Sequence, residues 1–142
     1  FTRFSSDVQK VNALGALDKT VQLKEMLMLV DEAERVLTDV NADLDDFGRM
    51  LDYTWKLKRQ IGSAVSNSSI DELYDKGIGA GALGGKLLGA GGGGFLVFYV
   101  QHDYQDSVRL AMRDLMHIPF EFENDGTKVI YYTPEIYEPK GY

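Results

Sequence analysis

Residues 84–94 hold seven glycines in eleven positions, with Lys86 their only charged member and an apolar run, Phe95-Leu96-Val97-Phe98-Tyr99-Val100, directly behind. Each ordered glycine costs about 0.5–1 kcal/mol of backbone entropy relative to alanine. So dense a run is disfavoured unless the backbone takes positive φ or lies very close to something. Consecutive exposed backbone N–H groups form a concavity suited to an anion, and a phosphate is the natural guest. Lys86 is then either an exposed lysine at the start of a strand or a cation beside that phosphate. Near the start of the chain, Arg3 with Thr2, Ser5 and Ser6 offers a second, smaller set of donors for phosphate or sugar. Its plain alternative is a surface arginine.

Other spellings carry less. Gly79-x-Gly81-x-x-Gly84 and Gly89-x-Gly91-x-x-Gly94 both match the dinucleotide fingerprint, but the first follows a helical pattern and the second runs into a strand, the reverse of what a Rossmann turn needs. A Walker A loop fails because Lys86 is followed by Leu87 rather than Ser or Thr. Asp46-Phe47-Gly48 spells the protein-kinase D-F-G, yet it precedes the glycine run and lies inside a helical pattern, with no H-R-D loop in the chain. His102 and His117 have no neighbours at metal-ligand spacing and read as surface or loop residues. No metal site and no Ser/His/Asp set stands out.

The elements that must position the glycine run follow from periodicity. Leu23, Met26, Leu27, Val30, Ala33, Val36 and Leu37 recur at helical spacing, which predicts an amphipathic helix over residues 19–40. Asn41 or Asp43 can cap a second helix whose apolar face is Leu44, Phe47, Leu51, Trp55 and Ile61. The short connection predicts an antiparallel helix pair. Trp55 and the Met26/Met28 pair are expected in the core. Ser69-x-x-Glu72 reads as a capping box opening a third helix through Ile70, Leu73, Tyr74 and Ile78. Residues 94–100 read as a central strand buried on both faces. Val108, Ala111, Met112 and Leu115 share one face of a helix over 104–116. The alternation at Phe120-Glu121-Phe122-Glu123, the turn Asn124-Asp125-Gly126 and a returning strand at 128–133 predict a hairpin. Helices followed by β-β-α-β-β make an α+β domain.

Composition narrows the partners. The 142 residues carry 15 Lys+Arg against 22 Asp+Glu, a net charge of -7, with 44% hydrophobic residues. That is enough for a real core, and it argues against nucleic acid or an anionic membrane, both of which need a basic face. The absence of cysteine removes disulfides, thiolate catalysis and zinc–thiolate sites. No apolar run is long enough for a bilayer, and no signal peptide is visible. A cytoplasmic setting is expected.

The segment Lys86-Leu87-Leu88-Gly89-Ala90-Gly91-Gly92-Gly93-Gly94-Phe95 resembles the third motif of the GHMP small-molecule kinases. Thr2-Arg3-Phe4-Ser5-Ser6, Asp46-Phe47-Gly48-Arg49-Met50-Leu51, Ser66-Asn67 with Ile70-Asp71-Glu72-Leu73-Tyr74, and residues 80–86 extend the resemblance to the heptose 7-phosphate kinase branch, with L-fucokinases close by. Ser68 departs from a usual proline, and Gly77-Ile78-Gly79 is richer in glycine than the usual helix end. The resemblance implies a ferredoxin-like α+β C-terminal domain at residues 19–142, preceded by the helix pair. Residues 1–18 would be a strand tail and connection from an N-terminal lobe. It implies ATP and Mg²⁺ as cofactors, a sugar phosphate as substrate and the chain's own N-terminal lobe as partner. Lys86, Gly89, Ala90, Gly91, Gly92, Gly93 and Gly94 would support the ATP phosphates. Thr2, Arg3 and Ser5 would touch substrate, and no catalytic residue would lie in this chain. The expectation is the C-terminal half of a kinase that is inactive alone. A fucokinase lobe and a non-catalytic ferredoxin-like interaction module are the alternatives.

Overall fold

A computed structural model describes residues 20–61, 65–89, 93–129 and 131. Two helices come first, α1 (Thr20–Thr38) and α2 (Leu44–Ile61), joined by a tight connection. Asp43 opens α2, its carboxylate accepting the Asp45 N–H at 3.0 Å. Acidic side chains Asp45 and Asp46 occupy the first turn and Lys58 and Arg59 the last, the arrangement the helix dipole favours. The pair is antiparallel, as the sequence predicts. Tyr53, well along α2, donates to Glu25 near the start of α1.

Helix α3 (Ser68–Gly79) is capped by Asn67, whose side chain accepts from the Ile70 N–H. The capping-box reading placed the cap at Ser69, two residues too late. Asn67 has the extended backbone (φ -142°) that a cap needs, and Ser69 already lies within the helix. Strands β1 (Ala82–Leu88) and β2 (Phe95–Val100) pair antiparallel, Lys86 opposite Val97 and Leu88 opposite Phe95, with a bulge between Ala82 and Gly84. A 3₁₀ turn (His102–Tyr104) leads into α4 (Gln105–Ala111).

The core gathers Trp55, Val65, Ile70, Tyr74 and Leu87, with Ile78, Leu96 and Phe98 packed against it. Three aromatic rings run through it, Trp55 to Tyr74 at 5.5 Å between centroids and Tyr74 to Phe98 at 5.7 Å, spacings that favour tilted aromatic contact.

Several expectations change. Strand β2 is half-buried rather than covered on both faces, and Phe95 is 64% exposed; among the described residues its sheet has only one other strand. Trp55 is core, but Met28 is exposed and Met26 only half-buried, because α1 buries Val36 alone and leaves most of its apolar stripe uncovered. Helix α4 ends at Ala111, not 116. No described residue of 116–129 is in a strand. Phe120 and Phe122 stack edge to face on each other instead of facing a partner strand, and Phe122 is 92% exposed. Alternation alone does not make a hairpin without a sheet edge to pair with. No helix of the described residues is long and apolar enough to cross a membrane.

Candidate functional site

The glycine run divides into two parts with different physical causes. Its first part is strand. A Cβ on Gly84 would fall 2.0 Å from the Gly48 carbonyl oxygen and 2.6 Å from the Asp52 amide nitrogen, so β1 lies directly on the backbone of α2. Gly48, the glycine of the D-F-G spelling, in turn faces the Tyr99 ring and Leu83. That spelling is therefore a helix–strand contact.

The second part is the connection between the strands. Gly89 (φ +136°) and Gly94 (φ +129°) take conformations that side chains rarely adopt. A Cβ on Gly94 would lie 2.1 Å from the Leu88 carbonyl oxygen. Closing the connection thus demands glycine at both ends. At Gly93 a Cβ would meet nothing within 4 Å among the described residues. Ala90, Gly91 and Gly92 lie outside the described residues, as do Thr2, Arg3 and Ser5.

Lys86 stands within β1, not at its start, and is exposed. It alternates with Gly84, so its side chain leaves the strand on the face that Gly84 presents to α2. Lys58, on the last turn of α2, is the residue that sequence reasoning passed over. Its ammonium is held below the ordinary lysine range, first by burial and then by the charge of Lys86. The signal was present: Lys58 stands three residues after Trp55, where the stripe Leu51–Trp55 calls for an apolar side chain.

Three hydrogen-bonded clusters hold these elements in place. Tyr74, only 2% exposed, donates its hydroxyl to Asp52 Oδ1 at 3.1 Å, and Asp52 also holds Lys56 at 2.6 Å. Burial first, then the Asp52 carboxylate, pushes the Tyr74 hydroxyl well above the ordinary phenol range, against smaller opposing effects of the Gly85 backbone and Arg59. Asp71 accepts from Ser66 at 2.7 Å and pairs with Arg59 at 3.2 Å, tying the start of α3 to the end of α2. At the other end of α2, Tyr99 and Gln101 donate to Asp45, and Arg49 pairs with Asp46. His102 and His117 are exposed. Among the described residues no group of three or more His, Asp or Glu side chains could hold a metal ion.

Helix pair, glycine-packed hairpin and capped third helix together match a known family, GHMP kinases C terminal, over residues 30–118. The chain belongs to the GHMP kinases. Two relatives carry sugar-kinase names. This GHMP kinase domain is 28% identical over 130 residues to the D-glycero-alpha-D-manno-heptose 7-phosphate kinase of Campylobacter jejuni, covering 89% of the chain and 38% of that protein. It is 29% identical over 82 residues to the bifunctional fucokinase/GDP-fucose pyrophosphorylase of Arabidopsis thaliana, covering 58% of the chain and 8% of that protein. Among solved structures, the L. major mevalonate kinase crystallised with R-mevalonate superposes with a TM-score of 0.65 at 24% identity, covering 80% of the chain and 35% of that structure. That likeness is one of fold, and it agrees with the α+β domain expected from the sequence. The domain thus spans well under half the length of the proteins it matches.

Proposed function

We propose that this chain is the C-terminal lobe of an ATP-dependent sugar kinase that phosphorylates D-glycero-D-manno-heptose 7-phosphate at its anomeric hydroxyl. The observation that carries the reading is the 89–94 connection. Its ends need glycine to close the hairpin, and at Gly93 a side chain would meet nothing among the described residues, so the backbone there is open to close approach by a polyanion. The heptose kinase relative, which aligns along most of the chain, supports the choice of sugar.

ATP, when bound, supplies the phosphoryl group. Lys86 and Gly89, Ala90, Gly91, Gly92, Gly93 and Gly94 would place its phosphates, and Thr2, Arg3 and Ser5 would touch the sugar. Phosphoryl transfer depends chiefly on positioning and charge neutralisation, and backbone N–H groups with one lysine contribute to both. The resemblance to the family assigns the Mg²⁺ ligands and the residue that takes the hydroxyl proton to an N-terminal lobe. Substrates of this kind fit a cytoplasmic setting.

A fucokinase lobe is the second reading, favoured by the plant relative. The test is a substrate panel on the intact gene product, with phosphorus NMR to locate the new phosphate. Heptose 7-phosphate is expected to be phosphorylated at the anomeric position, and the 142-residue chain alone is expected to show no turnover. Preference for L-fucose would replace the first reading with the second, and turnover by the chain alone would overturn the lobe assignment. In the intact protein, Gly92→Val is expected to remove most activity without unfolding, and a wild-type rate would make the loop a mere connector.

A further inference from the structure

Strand β1 has little means of its own to fix how β2 lies against it. Two of its paired residues are glycine: Gly84 stands opposite Tyr99 and Gly85 opposite Phe98. Glycine-rich strands specify register weakly, because a missing side chain makes no cross-strand contact. The connection between the strands limits slippage on one side only. A Cβ at Gly94 would fall 2.1 Å from the Leu88 carbonyl oxygen, so a slip of one residue that brings Phe95 to that place is blocked. The opposite slip brings Gly93 there instead, and glycine meets no such block. It would also set Phe98 opposite Gly84 in place of Tyr99.

What tells the two registers apart is the hydroxyl at position 99. The Tyr99 ring lies against α2, where a Cβ on Gly48 would fall 2.6 Å from it. Its hydroxyl donates at 3.3 Å to Oδ1 of Asp45, in the first turn of that helix. Phe98 lies against Gly77 of α3 and packs on the buried Tyr74 ring. A slip of one residue exchanges the faces of a strand. Phenylalanine would then face Asp45 with no hydroxyl to donate. The Tyr99 hydroxyl would turn toward the apolar side, where an unpaired polar group costs stability. We propose that Tyr99, through Asp45, is a positioning residue: it holds β2 in the register that places Gly89 and Gly94, the two ends of the glycine connection. Its bearing on phosphoryl transfer rests on the kinase reading; the register itself does not.

The test is NMR of the 142-residue chain, read at the Gly89 and Gly94 amides and at the cross-strand contacts between Leu88 and Phe95. Tyr99→Phe makes positions 98 and 99 alike. It is expected to double or broaden the Gly89 and Gly94 signals and to weaken the Leu88–Phe95 contacts, while helix content stays at the wild-type level. Asp45→Asn, whose side-chain oxygen still accepts the Tyr99 hydroxyl, should keep one register. Tyr53→Phe, which loses an exposed hydrogen bond to Glu25 instead, should leave these signals unchanged. In the intact protein, at a temperature where both forms are fully folded, Tyr99→Phe should lower kcat about tenfold or more. A single set of wild-type signals in Tyr99→Phe, or equal disturbance by Asp45→Asn, would overturn the register argument. A wild-type kcat in Tyr99→Phe would overturn the positioning role. Absence of turnover in the wild-type protein would sink the kinase reading alone, because the NMR arm reads the register without it.

Discussion

Tyr74 shows how much one hydroxyl can hold. It is buried, it donates to Asp52, and its ring sits between Trp55 and Phe98. Folding raises its pKa above the unfolded value. Its contribution is therefore fully present below about pH 10, the ordinary phenol value. Above that pH the unfolded chain loses the proton while the folded chain keeps it. Stability then falls with pH by about 1.4 kcal/mol per unit. Tyr74→Phe should cost about 1–2 kcal/mol at neutral pH through the lost hydrogen bond to a charged group. The difference between wild type and Tyr74→Phe should shrink steadily from pH 10 to 11.5 in urea titrations. Taking the difference cancels the other tyrosines. A gap that stays constant with pH would show that the hydroxyl titrates normally.

At the scale of elements, the contact between α2 and β1 has almost no tolerance. Gly84→Ala would push a methyl group into the backbone of Gly48 and Asp52, and backbone cannot rotate aside as a side chain can. A loss of about 3 kcal/mol or more is expected in chemical denaturation. Gly48→Ala meets the Tyr99 ring instead. The ring can shift, and alanine gains about 1 kcal/mol of helix propensity, so the loss should be smaller. Gly79→Ala, at the end of α3 with open space around it, should be neutral or slightly stabilising. A different order of the three would show that the strand does not rest on the helix backbone. The same contact explains what was legible in the sequence. Helices α1 to α3 were, because their apolar stripes and caps are local. The glycine run was read as one device because close approach and tight turning leave the same signature, a missing side chain. Only the fold separates Gly84, which packs, from Gly89 and Gly94, which turn. The hairpin expected at 120–133 is not formed by its described residues for a related reason: pairing is not local, and alternation cannot say whether a partner strand is there.

At the scale of the molecule, charge and apolar surface pull in opposite directions. A net charge of -7 at neutral pH keeps copies apart. Against it stand exposed Leu27, Met28 and Val30 on α1, and Phe120 and Phe122 beyond α4. Most ion pairs involve exposed groups, such as Arg109 with Asp106 and Lys128 with Asp125, and exposed pairs contribute roughly 0–1 kcal/mol each. Acid should therefore remove repulsion between molecules sooner than it unfolds them. Light scattering of the chain should rise to a maximum near the pI of about 4.7 while circular dichroism still reports folded helix. At pH 7, about 1 M salt should raise scattering as well, because the Debye length falls to about 3 Å. Charged replacements such as Leu27→Glu should lower scattering under both conditions. If scattering stays flat across pH 4–8, net charge is not what keeps the chain dispersed.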